Sequence, residues 1–285
     1  MVSKQIDLTA KDNTNIKSRY TLCDTKPTKG IIILVHGFGE HIGNYREIAE
    51  ELAEAGYASI VHDQRGHGDL SPYGELKKLQ GVIPNYMTLL DDIDIVITKA
   101  KELAPDLPII LYGHSMGGNI ALNYLLKSER TDITCVILES PWFGLCNGPG
   151  YFVVFLARIL GSISRRFAIY NKLSPEDLTG DIRYMGQYDE DPLYHNRMSL
   201  RLFAGVIKGC AFALLNASKL RLPIFCAIGD KDKIVCNRTN KQLIKTIGDN
   251  AKIKEYDAHH AIRFDKTRSE FIGDITAYLD STITV

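Results

Sequence analysis

Gly113-His114-Ser115-Met116-Gly117 is the stretch whose reading decides the fold. Before it stands Pro108-Ile109-Ile110-Leu111-Tyr112, a short apolar run rich in β-branched residues, which reads as a buried strand. After it, Gly118-Asn119-Ile120-Ala121-Leu122-Asn123-Tyr124-Leu125-Leu126 has the length and apolar spacing of a helix. A chain that leaves a strand and enters a helix within about one residue forces the central residue into strained backbone geometry. Side chains two positions to either side would collide, so hydrogen alone fits there. The strain leaves Oγ exposed above the sheet, and the next backbone N–H faces the same space at a helix N-terminus. A bare Gly-x-Ser-x-Gly is a weak signal; a strand before it and a helix after it make Ser115 a candidate nucleophile.

Outward from this turn the chain alternates. Ile31-Ile32-Ile33-Leu34-Val35 is apolar throughout, as a strand covered on both faces must be. Residues 44–55 have helical spacing at Tyr45, Ile48, Ala49 and Leu52 and stop at Gly56. Residues 57–61 read as a strand, 89–103 as a helix halted near Pro105, and 134–138 as a strand. The first thirty residues, broken at Asp12-Asn13-Thr14-Asn15, read as an opening β-hairpin. After Pro141 the rhythm breaks: residues 142–217 show helical apolar segments at 151–160 and 200–215, a Pro/Gly/Asp-punctuated stretch from 174 to 192, and no clear buried strand. Alternation resumes with Pro223-Ile224-Phe225-Cys226-Ala227-Ile228, a helix over 238–246, a strand over 252–256 and a closing helix over 269–279. The expectation is an α/β fold, a doubly wound and mostly parallel sheet. Residues 1–140 and 218–285 would form its core, and 141–217 an inserted helical lid over the strand ends, where ligands bind in such sheets.

At 285 residues the chain can bury a large core. Thirty-four basic and 34 acidic residues cancel, so no electrostatic footprint for nucleic acid is present. Cys23, Cys135, Cys146, Cys210, Cys226 and Cys236 are scattered, with no C-x-x-C pair and no zinc spacing, which reads as reduced thiols in a cytoplasmic protein. The N-terminus lacks the apolar core of a signal peptide, and no run approaches the roughly 18 apolar residues of a membrane span.

A serine hydroxyl needs a base, and the base needs a third group to fix its tautomer. In this fold the order is Ser, acid, His. The downstream histidines are His195, inside the expected lid, and the adjacent His259 and His260, which follow the last strand. Either of the latter pair could be aimed at Ser115. For the acid, Gly229-Asp230-Lys231-Asp232 leaves a strand end, and the turn begun at Gly229 favours Asp232 because the chain reverses before presenting it. The oxyanion hole needs a second backbone donor from another strand-end loop. His36-Gly37-Phe38-Gly39 supplies the N–H of Phe38 beside that of Met116. Asp63-Gln64-Arg65-Gly66-His67-Gly68 reads as a structural turn with hydrogen-bonded side chains, since His62, Asp63 and His67 fit no zinc spacing. No metal or cofactor is called for. Arg158, Arg165 and Arg166 read as a solvated face, or alternatively as attractors of a phosphate head group.

Taken together, His36-Gly37-Phe38-Gly39-Glu40-His41, Asp63-Gln64-Arg65-Gly66-His67-Gly68 and Gly113-His114-Ser115-Met116-Gly117-Gly118 resemble the monoacylglycerol lipase and lysophospholipase branch of the α/β-hydrolases. The likeness covers nearly the whole chain. Asp191-Pro192-Leu193 followed by Ser199-Leu200-Arg201 resembles the end of that family's lid, and Gly229-Asp230-Lys231-Asp232-Lys233-Ile234-Val235 its acid loop. His260-Ala261-Ile262 with Asp265 fits its histidine register better than His259. There are departures: Asp69-Leu70-Ser71 carries one residue more than the usual spacing, and Tyr256-Asp257-Ala258-His259-His260 is one residue short and lacks a glycine before the histidine.

The resemblance implies a serine hydrolase with Ser115, Asp232 and His260 as triad, acting on monoacylglycerols or lysophospholipids. The acyl chain is expected against Phe152, Phe155, Leu156 and Ile159, which share one helical stripe in the lid. That apolar lid leaves room for peripheral membrane contact. The rival readings are a short-chain carboxylesterase or thioesterase, a peptidase cleaving N-terminal residues with Asp189-Glu190-Asp191 as amine site, and a non-catalytic binding protein.

Overall fold

The computed structural model describes residues 1–68, 79–128, 130–171 and 173–283. The spacing departure at Asp69-Leu70-Ser71 lies outside them. Two antiparallel strands open the chain, β1 (Val2–Thr9) and β2 (Asn15–Leu22), followed by β3 (Gly30–Val35), α1 (Arg46–Glu54), β4 (Tyr57–His62), α2 (Tyr86–Leu103), β5 (Ile109–His114), α3 (Met116–Lys127) and β6 (Ile133–Glu139). An insertion then contains α4 (Tyr151–Ile163), β7 (Ala168–Tyr170), α5 (Pro175–Leu178), α6 (Ile182–Glu190), β8 (Arg197–Ser199) and α7 (Leu200–Asn216). The chain closes with β9 (Ile224–Gly229), α8 (Asn237–Ile247), β10 (Ala251–Tyr256) and α9 (Arg268–Thr282). The main sheet runs β1-β2-β4-β3-β5-β6-β9-β10, parallel from β4 to β10.

The unbroken apolar runs are explained by burial on both faces. In β3, Ile31, Ile33 and Val35 join one core with α2, α3 and α7, whereas Ile32 and Leu34 join the other with α1 and α9. Because β3, β5, β6, β9 and β10 are parallel, the loops leaving their carboxyl ends emerge on one rim. Those loops carry Phe38, Ser115, Asp232 and His260.

Two expectations are corrected here. Residues 142–217 do hold a buried strand: β8 pairs antiparallel with β7 and is buried along its length. Three residues are too few for alternation to show in sequence. Among the described residues, one helical stretch, Leu200–Lys219, is long and apolar enough to cross a membrane, with mean hydropathy 1.5. Its apolarity serves packing: Leu202, Phe203, Val206, Cys210 and Ala213 sit in the main core, and α7 lies along α3.

Candidate active site

Ser115 sits between β5 and α3 at φ +51° and ψ −117°, a strained conformation for a residue with a side chain. A Cβ at Gly113 would come within 2.6 Å of Gly118 Cα, and one at Gly117 would run into the Val35 carbonyl. The elbow therefore closes only with hydrogen at both positions. Its backbone is tied to the neighbouring strand, with Ser115 N–H donating to the Glu139 carbonyl at 2.9 Å and Trp142 N–H to the Ser115 carbonyl at 2.9 Å.

His260 Nε2 lies 2.8 Å from Ser115 Oγ, and His260 Nδ1 lies 2.7 Å from Asp232 Oδ2. With Nδ1–H donating to the carboxylate, Nε2 is left unprotonated and free to accept the serine proton. The other carboxylate oxygen, Asp232 Oδ1, accepts the N–H groups of Ile234 at 2.8 Å and Val235 at 3.0 Å, which locks the acid. Burial pushes the His260 imidazole down, but the charge and hydrogen bond of Asp232 outweigh it, and its pKa rises above the ordinary 6.5. Of the other candidates, His259 turns away to Asp265 Oδ2 at 2.9 Å, and Asp230 is exposed. His195 bonds the Gly66 carbonyl at 2.9 Å and packs edge-on against Phe38.

Phe38 follows β3 and lines the same cavity as Ser115, while Met116 is the first residue of α3. The cavity holds about 590 Å³. Its wall is mainly apolar, with Leu145, Val153, Ala157, Met198, Leu200 and Phe203; Asn147, Asn171 and Lys233 supply polar atoms. The expected acyl contacts are corrected. Phe152, Phe155, Leu156 and Ile159 are 74%, 58%, 43% and 41% exposed and do not line the cavity. On α4 the buried positions are Ala157 and Gly161, four apart. A Cβ at 161 would come within 2.8 Å of Arg201 N, which fixes the face on which α4 meets α7, and Ala157 lines the cavity beside the 53% exposed Val153. Arg158, Arg165 and Arg166 are exposed.

The turn after β4 is held by side chains. Arg65 forks between Asp12 and Asp92, Asp63 Oδ1 accepts Ile42 N–H at 2.8 Å, and His67 Nδ1 donates to the Arg65 carbonyl at 3.1 Å. Sequence reasoning missed a buried ionic cluster behind the site, in which Arg263 lies between Glu40 and Glu139. Glu40 stood inside the glycine-rich motif and was the available signal.

Residues 26–267 match the hydrolase family described as serine aminopeptidase, S33. The chain belongs to that family. It is 26% identical to a putative monoglyceride lipase of Schizosaccharomyces pombe over 96% of this chain and 71% of that protein. It is also 26% identical to an uncharacterized abhydrolase domain-containing protein of Dictyostelium discoideum, covering 99% of this chain but only 30% of that relative's length. The crystal structure of Paleococcus ferrophilus monoacylglycerol lipase superposes with a TM-score of 0.80 at 27% identity, over 99% of this chain and 100% of that one. This is a monoglyceride-lipase-like α/β-hydrolase.

Proposed function

We propose that the protein hydrolyses carboxylic esters of a single acyl chain, monoacylglycerols or lysophospholipids, through an acyl-enzyme on Ser115. The observation that carries this is the continuous line from Asp232 through His260 to Ser115 Oγ, opening into a largely apolar cavity. As Oγ attacks the ester carbonyl, His260 Nε2 takes its proton, and Asp232 stabilises the imidazolium. The N–H groups of Phe38 and Met116 receive the charge developing on the carbonyl oxygen. His260 then returns the proton to the leaving alcohol. Water, activated by the same imidazole, releases the fatty acid.

Residues 141–217 act as the lid, with α4 covering the acyl end of the cavity. Tyr151, Phe152, Phe155 and Ile163 stand 97%, 74%, 58% and 70% exposed on its outer face, with Arg158 among them. An apolar face rimmed by arginines suits peripheral contact with an anionic lipid surface. The six free thiols support a reducing, cytoplasmic location.

The family description raises an N-terminal peptidase as a second reading. Such an enzyme needs a free carboxylate for the substrate amine. Among the described residues the carboxylates lining the cavity are Glu40, bound to Arg263, and Asp177, which caps the first turn of α5 by accepting the Ser174 backbone N–H at 3.3 Å. The rest of the wall is mainly apolar and suits an acyl chain better than an amine. Asp191, from the acidic stretch proposed for that role, is held by His41 at 2.6 Å and Asn44 at 3.3 Å. The ester reading is therefore preferred. A fluorophosphonate should label the wild type and fail on Ser115→Ala. Monoacylglycerol hydrolysis should exceed aminoacyl-naphthylamide cleavage; the reverse preference refutes the assignment.

A further inference from the structure

The buried ionic cluster touches three of the four loops that carry the chemistry: the glycine-rich loop, the Ser115 turn and the histidine loop. Glu40 Oε2 accepts the N–H of Gly37 at 2.6 Å and the hydroxyl of Tyr45 at 2.9 Å, and faces His114 Nδ1 at 3.1 Å. Its other oxygen pairs with Arg263 Nη2. Arg263 is fully buried and stands three residues after His260. Its Nη1 meets Glu139 Oε2 at 2.8 Å, and its backbone N–H donates to Glu139 Oε1 at 2.9 Å. Glu139 is the residue whose carbonyl holds Ser115 N–H, and it also accepts the Tyr112 hydroxyl. The glycine loop is clamped on its far side too. His36 Nδ1 donates to the Gly37 carbonyl at 2.7 Å, and that carbonyl shares a peptide plane with the Phe38 N–H.

Resting on the triad reading above, we propose that Glu40 is a positioning residue for the reaction: bridging Gly37 N–H and the Arg263 guanidinium, it holds the oxyanion loop in register with the histidine loop. Stability alone is a poor explanation for the cluster. Burying two carboxylates and a guanidinium costs desolvation that their attraction barely offsets, and packed apolar side chains would serve as well. What apolar residues lack is a pair of acceptors facing two donors from different loops. A carboxylate has them. An amide of the same shape does not: with its oxygen toward Gly37 N–H it turns NH₂ against Arg263, and the opposite rotamer turns NH₂ against Gly37. Arg263 still keeps Glu139 in that variant, so no buried charge is left wholly unpaired.

The test is Glu40→Gln, assayed with a water-soluble ester and with a fluorophosphonate, beside thermal unfolding. The expected result is a fall in kcat of about 10- to 100-fold, smaller than or equal to the loss of a whole oxyanion donor. KM should stay within about threefold, since the acyl wall is untouched, and the rate of serine labelling should fall in parallel. Tyr45→Phe, which removes one of the donors that hold the same carboxylate, should give a smaller kcat loss in the same direction. It decides the matter if the glutamine variant does not fold. A kcat within twofold of wild type in the folded variant overturns the proposal, as does a loss confined to KM. Failure of the wild type itself to label or hydrolyse esters would instead refute the triad reading.

Discussion

Filling the acyl wall should change chain-length preference without touching the chemistry. Ala157 sits on the buried face of α4, is 5% exposed, and lines the cavity beside Val153. Each methylene an ester buries there is worth about 0.8 kcal/mol, roughly a fourfold gain in kcat/KM. From butanoate to octanoate, four methylenes add about 3 kcal/mol, an upper limit near 200-fold. A phenyl ring introduced as Ala157→Phe occupies the volume those methylenes would take. The wild type should therefore climb steeply along a series of p-nitrophenyl esters, and the variant should level off after the short acids. Acetate hydrolysis should stay within about threefold, because Ser115, Asp232 and His260 belong to other elements. A variant that keeps the octanoate preference while folding normally would show that the chain lies elsewhere. An acetate preference in the wild type would sink the lipase reading altogether.

The remaining expectations test the base, the elbow and the lid. Because the Asp232 contact raises the His260 pKa above 6.5, and the base must be neutral to act, kcat/KM should rise with pH through a limb above that value. In Asp232→Asn burial is left to dominate, so the limb should move to lower pH while kcat falls by about 10⁴-fold; a limb that stays put refutes this cause. Gly117→Ala should cost about 3 kcal/mol or more in stability, read by denaturant unfolding, since its methyl has only the backbone of Val35 and His36 to displace. Phe152→Asp combined with Phe155→Asp should weaken sedimentation with phosphatidylcholine–phosphatidylglycerol vesicles at least about tenfold. Soluble-ester turnover should be unchanged, and undiminished vesicle binding would remove α4 from the contact.

Much of this enzyme could be read from one dimension because its local physics and its global fold agree. Doubly apolar runs can only be strands covered on both faces, as at Ile31–Val35, and glycines flanking Ser115 can only mean a turn too tight for a side chain. The choice of Asp232 over Asp230 followed from the turn at Gly229, a local feature. The choice of His260 over its neighbour came from register alone, and the structure places it 2.8 Å from the serine hydroxyl while His259 bonds Asp265.

Sequence by itself determined the order of elements, the parallel sheet and the rim on which the reactive groups gather, since each follows from periodicity and backbone sterics within a few residues. Only tertiary structure decided which stripe of α4 faces inward. A helix that is apolar nearly all round carries no label for its buried side, so the outward turn of Phe152 and Phe155 was set by the close approach at Gly161. Tertiary structure alone also joined Glu40 to Arg263, which are far apart in the chain and pair because two loops from separate strands meet above the same sheet edge.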